Sequence, residues 1–104
     1  TIKGAARGIS RAEFEYEIPP TDAEALLTLC QGRVVEKCRH IVLHGGKAWE
    51  GDVFSGSNSG LVLAEIELAT DSETVELPSW IGEEVSRDPR YSNARLALTP
   101  FSRW

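Results

Sequence analysis

The sequence predicts one small α+β domain built mostly of antiparallel β-strands. Three observations support this prediction. Apolar and acidic residues alternate along residues 13–18, two extended stretches flank a Gly45-Gly46 turn, and residues 23–30 are rich in helix formers. With 104 residues, 41% of them hydrophobic, the chain is long enough for one core of its own.

Composition and charge argue against several classes of protein. No stretch approaches the roughly 18 apolar residues of a membrane span, and no signal-peptide pattern is present, so we expect a cytoplasmic protein without a membrane partner. A net charge of -5 argues against a nucleic-acid partner. Cys30 and Cys38 complete no zinc spacing with His40 and His44, so free thiols are favoured, while a disulfide between the two cysteines stays open.

The first predicted strand covers residues 10–18. Its apolar face carries Phe14, Tyr16 and Ile18, and its polar face carries Arg11, Glu13, Glu15 and Glu17. This alternation is typical of a half-buried strand, which Pro19-Pro20 would end.

A helix is predicted over residues 23–30. Thr21 and Glu24 have the spacing of a capping box, and Gly32 is a suitable stop signal. We expect this short helix to pack on the outside of a sheet.

Three further strands are predicted over residues 33–43, 48–54 and 61–68. Lys37 and Arg39 share one face of the first of them, and Glu50 and Asp52 share one face of the second. In the third, Glu65 and Glu67 follow Leu61 and Leu63 on one face. Beyond these strands, residues 69–76 have the composition of a short helix, and a further helix is predicted over residues 93–98.

Charged residues therefore recur at alternate positions on several strands. On any single strand, a solvated outer face is a sufficient explanation. If the strands bend into a barrel, however, both signs of charge line one polar interior, which is tolerable only when the charges are paired or bind an ion-rich ligand. A polyphosphate with a divalent metal ion has the required chemistry.

Several motifs occur in an order that carries a family resemblance. They are Lys3, Arg11-Ala12-Glu13-Phe14-Glu15, Val35-Glu36-Lys37-Cys38-Arg39, Trp49-Glu50-Gly51-Asp52-Val53-Phe54-Ser55-Gly56, Leu63-Ala64-Glu65-Ile66-Glu67-Leu68, Pro78-Ser79-Trp80-Ile81-Gly82-Glu83-Glu84-Val85 and Arg90-Tyr91-Ser92-Asn93-Ala94-Arg95-Leu96-Ala97. With them, the chain resembles the CYTH domain of the triphosphate tunnel metalloenzymes, most closely the bacterial inorganic triphosphatases.

The resemblance implies an antiparallel tunnel of eight strands with short helices packed outside. Residues 1–104 would be the C-terminal part of a single such domain, because the family's earlier Glu-x-Glu-x-Lys and Arg-x-Arg strands are absent from this sequence. Open sheet edges would then favour a homodimer or association with the missing N-terminal segment.

The resemblance also implies roles for individual residues. The triphosphate would be bound by Lys3, Lys37 and Arg39, with Arg11 a weaker candidate. Magnesium or manganese would be bound by Asp52, Glu65 and Glu67. A second metal ion or the attacking water would be served by Glu13 and Glu15.

The implied function is metal-dependent hydrolysis of an inorganic or organic triphosphate by the complete protein, with this chain inactive by itself. A class IV-type adenylyl cyclase and a thiamine triphosphatase would bind a triphosphate through the same residues, so both activities remain alternatives. A non-catalytic module that binds polyphosphate or metal is the alternative from another class.

Overall fold

Internal contacts divide the chain into two compact units, Thr1–Val34 and Val35–Trp104. The structure is a computed structural model and describes residues 1–5, 7–8, 10–70 and 72–104. Within these ranges no helix has both the length and the apolar character needed to cross a membrane. Cys30 and Cys38 are both free, which confirms the favoured alternative for the two thiols.

The first unit begins with a short hairpin. Strand β1 (Ile2–Lys3) pairs antiparallel with β2 (Glu13–Phe14), and Lys3 lies directly opposite Glu13. The strand predicted over residues 10–18 is therefore confirmed only at its centre. Its continuation has no paired strand among the described residues of this unit, and Tyr16 is 65% exposed there. Alternation alone does not make a strand when no neighbour supplies the backbone hydrogen bonds.

Helix α1 (Pro20–Thr28) follows, and the predicted capping box is wrong. The residue before the helix is Pro19, and no side chain caps the helix start. Pro20 begins the helix because its fixed φ suits the first helical position and its missing N–H has no partner to lose there. After the helix, Gln31 and Gly32 turn the chain with φ values of 53° and 77°. Since α1 buries none of its residues, its packing on a sheet stays a prediction.

The second unit is built on a three-stranded antiparallel sheet. Strands β3 (Glu36–His44), β4 (Lys47–Ser55) and β5 (Val62–Glu65) lie in that order. The predicted hairpin turn between β3 and β4 is confirmed, with φ values of 59° at Gly45 and 74° at Gly46. Positive φ at both central residues is what a type I′ turn requires, and glycine adopts it without steric cost.

Two predictions near the end of the sheet are corrected. Strand β5 ends at Glu65, so Glu67 lies beyond it and the two glutamates do not share a strand face. Residues 69–70 and 72–76 form no helix, and Asp71 lies outside the described residues. Instead, the Glu73 carboxylate accepts a hydrogen bond from the backbone N–H of Ala69 at 2.6 Å and pairs with Lys47 of β4. Side-chain contacts therefore order this segment where helix hydrogen bonds were expected.

The C-terminal residues form a short helical segment that caps the sheet. A 3₁₀ turn (Pro89–Tyr91) leads into α2 (Asn93–Leu98), which confirms the predicted second helix, and a second 3₁₀ turn covers Phe101–Arg103. Ser92 caps α2, because its hydroxyl accepts a hydrogen bond from the Arg95 N–H at 3.3 Å.

Leu96 of α2 fixes this segment on the sheet. It is 0% exposed and packs with Phe54 and Leu61. Phe54 comes two residues after Asp52 along β4 and so lies on the same face, which means that α2 covers the apolar end of the charged face. That short helices pack outside a closed tunnel stays a prediction, because the described strands form an open sheet. Phe101 packs at the same core, held by a 2.8 Å hydrogen bond from its backbone N–H to the buried Asn58 side chain.

Candidate functional site

The central candidate site lies on the charged face of the second unit. Strands β3 and β4 pair so that Arg39 is directly opposite Asp52, and Lys37 is two residues along the same face. Residues two apart on a strand point to the same side, so the β-register brings one acid and two bases together. The predicted alternation gave the pairing of Lys37 with Arg39 on one strand face, and the observed register adds Asp52 to it.

Asp52 is the centre of this cluster and is fully buried. One carboxylate oxygen, Oδ2, accepts a hydrogen bond from Lys37 Nζ at 2.6 Å and another from Arg39 Nη2 at 3.0 Å. The other, Oδ1, accepts from Arg39 Nε at 2.8 Å. Burial by itself raises the pKa of Asp52, but the hydrogen bonds from Arg39 and Lys37 outweigh it and leave that pKa below its ordinary value. Asp52 is therefore an ionised carboxylate beneath two cations.

Glu50 extends the cluster and was not among the residues predicted for the site. Its carboxylate pairs with Arg39 Nη1, and its Cα lies opposite that of Glu65 on β5. The signal that could have identified it is its position two residues before Asp52 on the same strand face. The hydrogen bond with Asp52 is the main cause that raises the pKa of Arg39, and Glu50 adds to it. The formal charges of Lys37, Arg39, Asp52 and Glu50 cancel.

One side of the cluster is apolar. The Lys37 ammonium lies 5.5 Å from the centre of the Phe54 ring, which itself packs against Leu61 and Leu96. A neighbouring apolar core lowers the local dielectric and strengthens the attraction between Lys37 and Asp52. The C-terminal helix thus shapes the electrostatics of the charged face although α2 supplies none of its charges.

A second cluster of predicted site residues lies in the first unit. Glu13 Oε1 is 3.9 Å from Lys3 Nζ and 3.6 Å from Arg11 Nε. The Glu13 side chain is 41% exposed, so solvent screens both ion pairs. Glu15 follows β2 and is exposed as well.

The predicted metal ligands Asp52, Glu65 and Glu67 differ in exposure and in the partners they already have. In the described ranges no three His, Cys, Asp or Glu residues gather into a group that could hold a metal ion. Asp52 fits a ligand role poorly because both of its oxygens already accept hydrogen bonds from cations. Glu65 fits better, as an exposed carboxylate at the end of β5, and Glu67 is exposed just beyond it. Magnesium is commonly held by one or two carboxylates together with substrate phosphates and water.

Comparison with known proteins gives consistent results. The chain is 48% identical over 102 residues to an inorganic triphosphatase of Acetivibrio thermocellus, covering 97% of this chain and 65% of that protein. It is 42% identical over 95 residues to an inorganic triphosphatase of Nitrosomonas europaea, covering 88% of this chain and 63% of that protein. No protein-family model matches the chain.

The fold comparison agrees with the sequence comparison. The crystal structure of an inorganic triphosphatase superposes with a TM-score of 0.64 at 42% identity, covering 85% of this chain and 62% of that one. The chain thus spans a little under two thirds of the length of each of these relatives. Over the residues that align, its antiparallel α+β architecture is similar to the fold of an inorganic triphosphatase.

Proposed function

We propose that the complete protein carrying this chain hydrolyses a triphosphate, inorganic or organic, in a metal-dependent reaction. The observation that carries the proposal is the Lys37–Asp52–Arg39 cluster, which fixes two cations at the solvent side of a buried carboxylate. The proposal also draws on the similarity to proteins named inorganic triphosphatases. For the 104 residues alone we propose no turnover.

The two cations have donors left for a phosphoryl group. A guanidinium has five N–H donors, and Arg39 uses Nε and Nη2 on Asp52 and Nη1 on Glu50. Each terminal nitrogen therefore keeps one N–H. Of the three donors on the Lys37 ammonium, one is used on Asp52. Phosphoryl oxygens are strong acceptors for charge-assisted hydrogen bonds of this kind.

The charge balance of the cluster supports a role for a divalent cation. Because the charges of Lys37, Arg39, Asp52 and Glu50 cancel, this cluster cannot neutralise a triphosphate by itself. We propose that Glu65 and Glu67 hold magnesium or manganese together with the phosphate oxygens. The metal ion would supply charge neutralisation of the phosphoryl oxygens during in-line attack by water.

The roles of the first-unit residues rest on family resemblance alone. In the proposal Lys3 and Arg11 contact the triphosphate, and Glu13 and Glu15 serve the attacking water or a second metal ion. Removing either acid is expected to lower kcat more than it raises KM, because a water-orienting group acts mainly in the transition state.

The sheet edges fit a larger assembly. Among the described residues, β3 and β5 each pair only with β4, so each presents one row of backbone groups without a strand partner. We propose that these edges pair with further strands in the complete protein, or with a second copy, and so form a CYTH-like eight-stranded tunnel. Amide hydrogen exchange should then protect the edge N–H groups of β3 in the complete protein and leave them unprotected in the 104-residue chain.

The test of function is phosphate release from inorganic triphosphate by the complete protein with Mg²⁺ or Mn²⁺. Lys37→Ala and Glu65→Ala are each expected to lower kcat/KM by about 100-fold, as when one group that stabilises the transition state is lost. The matched control is Glu24→Ala, an exposed acid on α1 outside the motifs that carry the family resemblance. Normal turnover in Lys37→Ala and Glu65→Ala would show that the proposed site is not the site of hydrolysis. Tight binding of triphosphate without release of phosphate would instead support a binding module.

A further inference from the structure

We propose that Asp52 is a positioning residue that orients Lys37 and Arg39 toward the triphosphate and does not bind the metal ion. This inference rests on the function proposed above. It gives Asp52 a different role from the metal ligand that family resemblance implies for it.

The first argument is the order of burial in the cluster. The Asp52 side chain is 1% exposed, whereas the side chains of Lys37 and Arg39 are 20% and 43% exposed. The two cations therefore lie between the carboxylate and the solvent. A ligand that approaches this face meets the ammonium and the guanidinium before it can reach Asp52.

The second argument is the number of hydrogen bonds that Asp52 already accepts. Three N–H groups from Lys37 and Arg39 point at its two oxygens, at distances of 2.6 to 3.0 Å. These bonds leave one of the carboxylate's roughly four acceptor positions, on Oδ1 of a buried group. A metal ion there would lie beside two cations, which is unfavourable. Glu65, which is exposed, presents no such obstacle.

The third argument concerns the freedom of the two long side chains. Lysine and arginine lose many rotamers when they hold a ligand, which weakens binding unless they are already ordered. Asp52 fixes Arg39 through two neighbouring nitrogens, so the guanidinium plane is set as well as its position. The donors that remain are thereby directed before the substrate arrives.

A positioning role and a purely electrostatic role for Asp52 predict opposite changes of KM when its charge is removed. Asp52→Asn removes one negative charge from beneath the two cations, so attraction alone predicts tighter binding of triphosphate and a lower KM. Positioning predicts the opposite, because the cations lose their fixed orientation. We expect KM for triphosphate to rise about tenfold or more and kcat to fall, in line with the cost of a misplaced substrate-binding group.

A double-mutant cycle tests whether Asp52 acts through the cations. In the complete protein, kcat/KM would be measured for Asp52→Asn, Lys37→Met, Arg39→Met and their combinations. Once both cations are replaced, Asp52→Asn is expected to have little further effect. A loss of kcat/KM by Asp52→Asn that is undiminished in the Lys37→Met/Arg39→Met background would overturn the proposal.

Metal binding supplies an independent readout. Mn²⁺ binding without triphosphate, followed by electron paramagnetic resonance, should be unchanged in Asp52→Asn and weakened in Glu65→Gln. Weaker Mn²⁺ binding in Asp52→Asn would indicate that Asp52 is a metal ligand and would overturn the proposal. Full activity of Lys37→Met and Arg39→Met would instead contradict the proposed function itself, so the two failures are distinguishable.

A second variant keeps the test decisive if Asp52→Asn does not fold. Asp52→Glu retains the charge and moves it by one methylene group. It is expected to keep the ion pairs while raising KM, with thermal unfolding followed in parallel. Wild-type KM and kcat in folded Asp52→Glu would show that the placement of this carboxylate does not matter and would overturn the proposal.

Discussion

The molecule holds a carboxylate between a lysine and an arginine in two places, and the two differ in burial. Asp52 is buried beneath Lys37 and Arg39, with hydrogen bonds of 2.6 to 3.0 Å. Glu13 stands between Lys3 and Arg11 at 3.9 and 3.6 Å and is 41% exposed. One carboxylate, one ammonium and one guanidinium therefore form a tightly hydrogen-bonded cluster in one unit and a longer, solvent-exposed one in the other. Composition does not decide this difference, but the neighbouring core does.

The largest effect is expected from breaking the buried cluster. Asp52→Asn should reduce the free energy of unfolding by about 3–5 kcal/mol, the range for removing one partner of a buried ion pair. Chemical denaturation monitored by tryptophan fluorescence would measure it. A loss below about 1 kcal/mol is typical of exposed ion pairs and would contradict the difference between Asp52 and Glu13.

Removing the apolar neighbour should come next. Leu96→Ala is expected to cost about 3 kcal/mol, because it leaves a cavity between α2 and the sheet. The matched control is Leu98→Ala in the same helix, where the leucine is 49% exposed and the loss should be much smaller. Equal losses for the two variants, measured by denaturation, would show that Leu96 is not part of the core.

The pH dependence of stability should also report on Asp52. Its folded-state pKa lies below the unfolded value of about 3.9. The ionised carboxylate therefore contributes its full stabilisation above about pH 4 and loses it as the pH falls through the folded pKa. The stability difference between the wild type and Asp52→Asn should be constant from pH 5 to 7 and shrink below pH 4. A difference that stays constant down to pH 2 would contradict this assignment.

The smallest effect is expected at the exposed cluster. Glu13→Gln should change the free energy of unfolding by less than about 1 kcal/mol, as for other solvated ion pairs. A loss comparable to that of Asp52→Asn would mean that Glu13 is far less accessible to solvent than its exposure in the first unit indicates. Denaturation at low and high salt would check both the size of the effect and its screening.

Local patterns predicted the second unit well. Alternation placed Lys37 and Arg39 on one face of the first strand and Glu50 and Asp52 on one face of the next, and the two glycines predicted the hairpin between them. The register of that hairpin, seen in the structure, brings the two faces to the same side of the sheet. These features depend on residues close together in sequence, where backbone geometry leaves few options.

Features that depend on distant partners could not be predicted in the same way. The length of β2 depends on how much of β1 is available for pairing, and the burial of Asp52 depends on the packing around the charged face. The start of α1 was also predicted wrongly, because two signals for a helix start lie side by side. The helix begins at Pro20, so Thr21 lies inside it and cannot act as its N-cap. Spacing places Glu50 on the same strand face as Asp52, but its ion pair with Arg39 depends on the register between β3 and β4.

The hydrogen bond from the Phe101 N–H to Asn58 has a consequence for the order of folding. It joins residues 43 positions apart, whereas β3 and β4 meet through a two-residue turn. Closing the long loop is slower and entropically costlier than zipping the hairpin. The hairpin is therefore expected to form early and the C-terminal segment to dock late. In pulsed hydrogen exchange, the N–H groups of β4 should gain protection before that of Phe101. Until that docking step, the apolar side of Lys37 is open to water.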